Sequence, residues 1–193
     1  MNKKTLSLFS VFFLIISIFS ITVFANLDTE KKDIKWVKGS LPDTTLDELV
    51  EEADIIAKVK ITELKSVIEE PDGFMSATVF GGKVKKYYEN NTANEDDITL
   101  FQAGSPEWQF YENPLLEVGK TYILFLKEHD VPGEGKALAM VSEGYGRYLV
   151  ENNKVKAHLK PKQSIFKEEN LVDLGSFEED FKKKIKEKHK ANN

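Results

Sequence analysis

The five residues Tyr122-Ile123-Leu124-Phe125-Leu126 are apolar without interruption, and on an extended chain their side chains point alternately to opposite faces. A strand of this kind is stable only between two apolar layers, which separates it from a strand with one wet face. It therefore predicts a fold built around a sheet with apolar cover on both sides. The turn at Val118-Gly119 leads into this run, which is taken as the central strand.

Period-two alternation surrounds it. IIAKVKITELKSV alternates Val59 and Ile61 with Lys58, Lys60 and Thr62, and ends at the turn residues Pro71-Asp72-Gly73. A second, long strand, MSATVFGGKVKKYYE, is interrupted by Gly81-Gly82, where absent side chains permit a bulge or sharp coiling; the alternative is a turn between two short strands. DITLFQA (97–103) reads as a third strand, entered through the acidic loop ENNTANEDD. KALAMVS, GRYLVE and KVKAHL read as three more, the last two joined by Asn152-Asn153, which tolerate the positive φ of a tight hairpin.

Two helices frame the strands. In TTLDELVEEA, Thr45 and Glu48 stand at capping-box spacing, and Leu46, Leu49, Val50 and Ala53 make one apolar face. Beyond Pro161 the β pattern stops. Ser176 and Glu179 repeat the capping-box spacing, and Phe177, Phe181 and Ile185 form a narrow stripe on a lysine-rich helix.

The first 25 residues have a charged start at Lys3 and Lys4, an apolar stretch, and small residues at Val23 and Ala25, the pattern of an export signal cleaved after Ala25. The apolar stretch from Thr5 to Ala25 also approaches the length that spans a bilayer, so retention as an N-terminal membrane anchor is the alternative. Either outcome places the body outside the cytoplasmic membrane, secreted or anchored. The expected organisation is a signal or anchor over 1–25, a polar tether over 26–42 in which Ile34, Trp36 and Val37 are able to dock, a β domain over 43–160, and a linker with a basic helix over 161–193.

Composition removes whole classes of chemistry. Without cysteine there is no disulfide framework, thiol nucleophile, lipid-modified cysteine or thiolate metal site. Residues 26–181 carry 19 basic against 31 acidic residues, a body that repels nucleic acid. A single arginine, Arg147, stands against 26 lysines, which argues against bidentate phosphate recognition.

The order of these parts, a helix, then ADIIAKVKI, a glycine-kinked strand, ITLFQAG, and LLEVGKTYILFL before further hairpins, resembles the netrin-like module of tissue inhibitors of metalloproteinases. It resembles more closely the cysteine-free exported β-barrel family of Gram-positive, Bacillus-like bacteria. The resemblance covers roughly residues 45–158 and implies a mainly β, OB-like barrel with a short helix before its first strand and an amphipathic C-terminal helix. In the inhibitors an N-terminal cysteine chelates the protease zinc. No residue here matches that motif, so the barrel is carried over and no functional residue is.

Catalytic and metal-binding signatures are weak. His129 falls in the expected turn KEHDVPGEG, His158 near the end of the last strand and His189 in the lysine tail, none with a histidine partner at ligand spacing. Glu128-His129-Asp130 offers three ligands in a row, yet consecutive side chains diverge. ENNTANEDD has oxygen ligands without the EF-hand spacing, and neither G-x-S-x-G nor S-x-x-K occurs. The expectation is therefore a non-catalytic module with no catalytic residue, metal or cofactor, whose partner is a protein or peptide at the cell surface. The basic C-terminal helix adds a weak contact with membrane or anionic wall polymer, against which stands a helix that packs its stripe on the sheet. The alternatives are a surface hydrolase using scattered acids, with or without a metal, and a membrane-anchored or wall-associated structural protein.

The candidate ligand-binding residues are Trp108, Phe110 and Tyr111, in the segment GSPEWQFYENP. Two readings stand open. In one the aromatics form a recognition platform at the barrel mouth. In the other Trp108 and Phe110 fold inward as a plug, which the need of a cysteine-free domain for buried apolar area favours.

Overall fold

Tyr122 to Leu126 divide the interior of the protein into two cores, as their pattern requires. In the computed structural model, which describes residues 33–69, 76–92, 96–131, 135–166 and 170–191, all five are at most 5% exposed. Ile123 and Phe125 face one core while Tyr122, Leu124 and Leu126 face the other. The expected signal segment with its cleavage at Ala25, the Pro71-Asp72-Gly73 turn and residues 93–95 of the acidic loop lie outside the described residues.

The elements run β1 (Lys35–Val37), α1 (Leu46–Glu52), β2 (Ile55–Ile68), β3 (Ala77–Asn90), β4 (Asp97–Ala103), β5 (Trp108–Phe110), β6 (Thr121–Val131), β7 (Gly135–Met140), a short 3-10 turn (Glu143–Gly146), β8 (Arg147–Glu151), β9 (Lys154–Ala157), β10 (Leu171–Asp173) and α2 (Leu174–Ala191). The fold is mainly β. Eight strands form one sheet in the order β10-β9-β8-β6-β2-β3-β4-β7, and β6 also pairs with β7. The five strands β2, β3, β4, β7 and β6 thus pair in a closed cycle, antiparallel except for β4 with β7.

Closing so few strands requires strong coiling, and the long pair β2–β3 supplies it. The register slips four times along the pair, one slip lying between Ile61 and Glu63 opposite Gly82 and Gly81. A Cβ on Gly82 would lie 2.7 Å from Val59 Cγ1 and 3.3 Å from Ile98 Cγ1, so the strand approaches its neighbours closely only because that residue has no side chain. The glycine pair is a kink within one continuous strand, not a turn between two. Ile55, Ala57, Val59 and Ile61, alternate residues of β2, join Phe80, Leu100, Leu124 and Leu138 in the core drawn from the five cyclic strands.

The second core lies under the helices. Thr45 accepts from the Glu48 amide at 3.1 Å while the Glu48 carboxylate accepts from the Thr45 amide at 2.7 Å, so the expected capping box starts α1. Leu46, Leu49 and Val50 are at most 1% exposed. Phe177 and Phe181 are fully buried, and Ile185 is nearly so, on Phe125, Tyr148 and Phe166. The apolar stripe of α2 is therefore consumed by the sheet, and its lysines serve α1: Lys184 pairs with Asp47 at 2.8 Å, and Lys188 donates to the Val50 carbonyl at 2.9 Å. A cation at those last carbonyls satisfies acceptors that the helix itself leaves unpaired. Among the described residues no helix is long and apolar enough to cross a membrane.

The structure departs from sequence expectation at several points. Residues within the expected tether form β1, and residues within the expected linker form β10, which pairs with β9. Three-residue strands carry too little pattern to register as alternation. The expected cap of α2 also moves: the helix begins at Leu174, and Asp173 Oδ1 accepts from the Ser176 amide at 3.1 Å, so Asp173 caps it in place of Ser176.

Candidate functional site

Gln102 explains how the segment GSPEWQFYENP keeps its shape. This last-but-one residue of β4 is 2% exposed, and its amide donates to Asn113 Oδ1 at 2.9 Å and to the Pro114 carbonyl at 2.8 Å. Its own oxygen accepts from the Leu116 amide at 2.9 Å. One buried side chain thus satisfies backbone groups on the far side of the segment, which would otherwise be costly to bury. At the near side Thr78 donates to the Gly104 carbonyl at 2.8 Å, and Ser105 and Trp108 exchange backbone hydrogen bonds.

Between these anchors β5 leaves the eight-stranded sheet and pairs in parallel with β1, setting Lys35, Trp36 and Val37 opposite Trp108, Gln109 and Phe110. The ribbon is two strands wide and lies outside the sheet, so its outer face stays in water. Trp108 is 36% exposed, Trp36 45% and Tyr111 57%. Trp36 and Tyr111 meet with ring centroids 5.2 Å apart, and the Lys35 ammonium sits 4.5 Å over the Trp108 ring. Trp108 does not fold inward. Only Phe110 turns partly in, toward an apolar cleft of about 210 Å³ that Gly39, Leu41, Ala103 and Glu143 also line.

Beneath the cleft is a constrained polar cluster. Asn113 donates to the Glu143 carboxylate, and burial pushes that carboxyl above its usual range while the nearby Arg147 opposes the shift. Ser142 and Glu143 both adopt left-handed backbone, with φ of 49° and 52°, a conformation that costs free energy in residues other than glycine. The next residue must be glycine, because a side chain on Gly144 would run into the Glu112 carbonyl oxygen. Glu112 in turn accepts from the Leu41 amide at 2.5 Å, linking the chain after β1 to the aromatic segment.

Of the residues singled out from the sequence, Trp108 and Tyr111 stand together at the surface and Phe110 lines the adjoining cleft. Trp36 joins them from a distant part of the chain, and Glu143 forms the floor. Trp36 was visible only as a residue able to dock, and nothing in the sequence pattern singled out Glu143.

The other candidates disperse. His129 is in strand β6, paired with Ala137, and not in a turn, because β6 continues to Val131. Its neighbours Glu128 and Asp130 therefore project to the opposite face. His158 contacts the Tyr111 carbonyl at 3.0 Å through Nε2, and His189 lies 3.6 Å from Glu89. Among the described residues no group of three or more His, Asp or Glu is arranged to hold a metal. The geometry of the aromatic surface suits contact with a ligand: flat rings beside an apolar cleft, with Lys35, Glu112 and Glu143 as the charged groups at hand.

No family model matches the chain, and no curated protein matches it.

Proposed function

We propose that the protein is an exported, non-catalytic binding module that engages a protein or peptide through Trp36, Trp108 and Tyr111 and the cleft beside Phe110. The observation that carries this reading is the exposure of three large aromatic rings on and beside the β1–β5 ribbon, in a segment whose far end Gln102 anchors. Exposed aromatics on a preorganised backbone lose little conformational entropy on binding and are the residue types that dominate protein contacts. The acidic body disfavours nucleic acid, which leaves glycan or polypeptide, and polypeptide is the partner proposed.

The OB-like barrel is part of the same proposal. It is supported by the closed pairing of β2, β3, β4, β7 and β6, with a single parallel contact between β4 and β7. Residues 1–25 support export, and N-terminal sequencing of the protein from its producing cell tests it: a start at Asn26 is expected, and a retained Met1 in the membrane fraction marks an anchor instead.

Binding is tested by selecting peptides on the chain from a displayed random library. Selected peptides are then titrated against the Trp36→Phe variant, in which Trp108 alone reports. The reading expects saturable changes in Trp108 emission, abolished by Tyr111→Ala together with Phe110→Ala. Failure to select any saturable binder counts against it.

A further inference from the structure

On the other side of the 110–115 segment lies a separate cleft of about 390 Å³, and the chain's single arginine forms part of its wall. Arg147 is 6% exposed. Its guanidinium donates through Nη1 to the Pro114 carbonyl, and among the described residues it has no other acceptor and no carboxylate in ion-pair range. A guanidinium carries five N–H donors, so most of this one's hydrogen-bonding capacity is unspent on protein acceptors and is open to the cleft. Desolvation lowers its pKa to about 10, with Tyr122, Glu117 and Glu143 drawing it back up, so it remains charged at neutral pH.

A second donor faces the same space. The Tyr122 hydroxyl accepts from the Glu117 amide at 3.2 Å, which leaves its own hydrogen to give, and no acceptor for it is found among the described residues. Tyr122 is 5% exposed and lines the cleft with Arg147, Lys156, His158 and Glu117. Two donor side chains, one of them cationic, thus line a solvent-connected cleft with N–H and O–H groups that no protein acceptor takes among the described residues. The fixed charges there are Arg147 and Lys156 against Glu117, while burial and the Arg147 charge lower the pKa of His158. The lining residues thus carry a net charge of +1, with Glu143 acting on Arg147 from outside the cleft.

We propose that this cleft binds a singly charged carboxylate, whose oxygens take the free guanidinium N–H groups of Arg147 and the Tyr122 hydroxyl, with Lys156 at the rim. Planar bidentate pairing with a carboxylate is the geometry that distinguishes arginine from lysine. Glu117 disfavours a doubly charged anion in the same place. The site is independent of the aromatic surface and stands or falls separately from it.

Because the chain has one arginine, its side-chain Nε–H resonance is a single signal that needs no assignment. The full chain carrying ¹⁵N-arginine is titrated with sodium acetate, sodium phosphate and sodium chloride at constant ionic strength. A saturable displacement by acetate is expected, with half-saturation several-fold lower than for phosphate and no comparable effect of chloride. Tyr122→Phe and Lys156→Gln, neither of which removes the probe, each raise the acetate half-saturation by about threefold, the scale of one hydrogen bond or one rim charge. No displacement, a linear drift, an equal response to chloride or phosphate, or an unchanged half-saturation in both variants would overturn the proposal.

Discussion

The hydroxyl of Tyr88 donates to Oε1 of Glu178 at 2.5 Å, fastening the far end of β3 to the second turn of α2. Lys86 and Lys182 donate to the other carboxylate oxygen at 2.8 and 2.9 Å. Burial alone would raise the Glu178 pKa, but these three partners hold it down to about 2, against an ordinary value of 4.5. Since the folded value lies below the unfolded one, the stabilisation is complete above about pH 4.5 and is lost as the pH falls toward 2. Urea unfolding of the wild type should therefore lose on the order of 2 kcal/mol between pH 5 and pH 2 that Glu178→Gln does not lose. Parallel pH profiles for the two proteins would show that the cluster contributes nothing.

Phe181 is fully buried and contacts Tyr88, Phe125 and Phe177 edge-on. Truncation to alanine leaves a cavity between helix and sheet, at a cost of about 3–5 kcal/mol. Thermal unfolding should report this as a large fall in Tm. A loss below about 1 kcal/mol is incompatible with the packing described.

Gly82 and Val59 form a complementary pair across β2 and β3. Gly82→Ala places a methyl 2.7 Å from Val59 Cγ1 and should destabilise by about 1–3 kcal/mol. Val59→Ala also destabilises, by leaving a void. The double variant should be more stable than the two separate losses imply, because the new methyl occupies space that the valine vacates. Simple additivity in denaturant unfolding would mean that the two side chains do not compete.

The start of α2 offers a direct comparison between two capping residues. Asp173→Ala should cost about 1 kcal/mol, and Ser176→Ala should stay within about 0.5 kcal/mol of the wild type. The reverse order would place the helix start where the sequence pattern alone puts it.

At the aromatic surface, Tyr111→Ala should leave stability within about 0.5 kcal/mol, since the ring is 57% exposed. Gln102→Ala should do the opposite and cost about 2 kcal/mol or more, because it strands the Leu116 amide and takes the Gln102 donor from Asn113 Oδ1. Acrylamide quenching of the Trp36→Phe variant should find Trp108 accessible in the wild-type ribbon. A shielded Trp108 is the result that would restore the plug.

The central strand, α1 with its capping box, the glycine kink, the Asn152-Asn153 hairpin and the buried stripe of α2 were all legible in the sequence, because each follows from spacing within a few residues. Asn152 and Asn153 indeed take φ of 49° and 60°. What was not legible depends on partners distant in sequence. Lys35–Val37 is too short to show a period, and its role comes from pairing with Trp108–Phe110. Leu171–Asp173 is hidden for the same reason. Trp108 was expected to face inward because large apolar residues usually do. Its ribbon lies off the sheet, and that placement cannot be inferred from composition. Glu143 and Arg147 gained importance only once Asn113 and Pro114 were seen to lie against them.

The second core depends on a helix that follows all the strands it covers. Phe177, Phe181 and Ile185 cover β6 and β8, so without α2 only one helix, α1, remains over Ile123, Phe125 and Tyr148. Half of the interior is thus closed by residues more than 25 positions beyond the end of β8, and contacts of such long sequence separation are slow to form in folding.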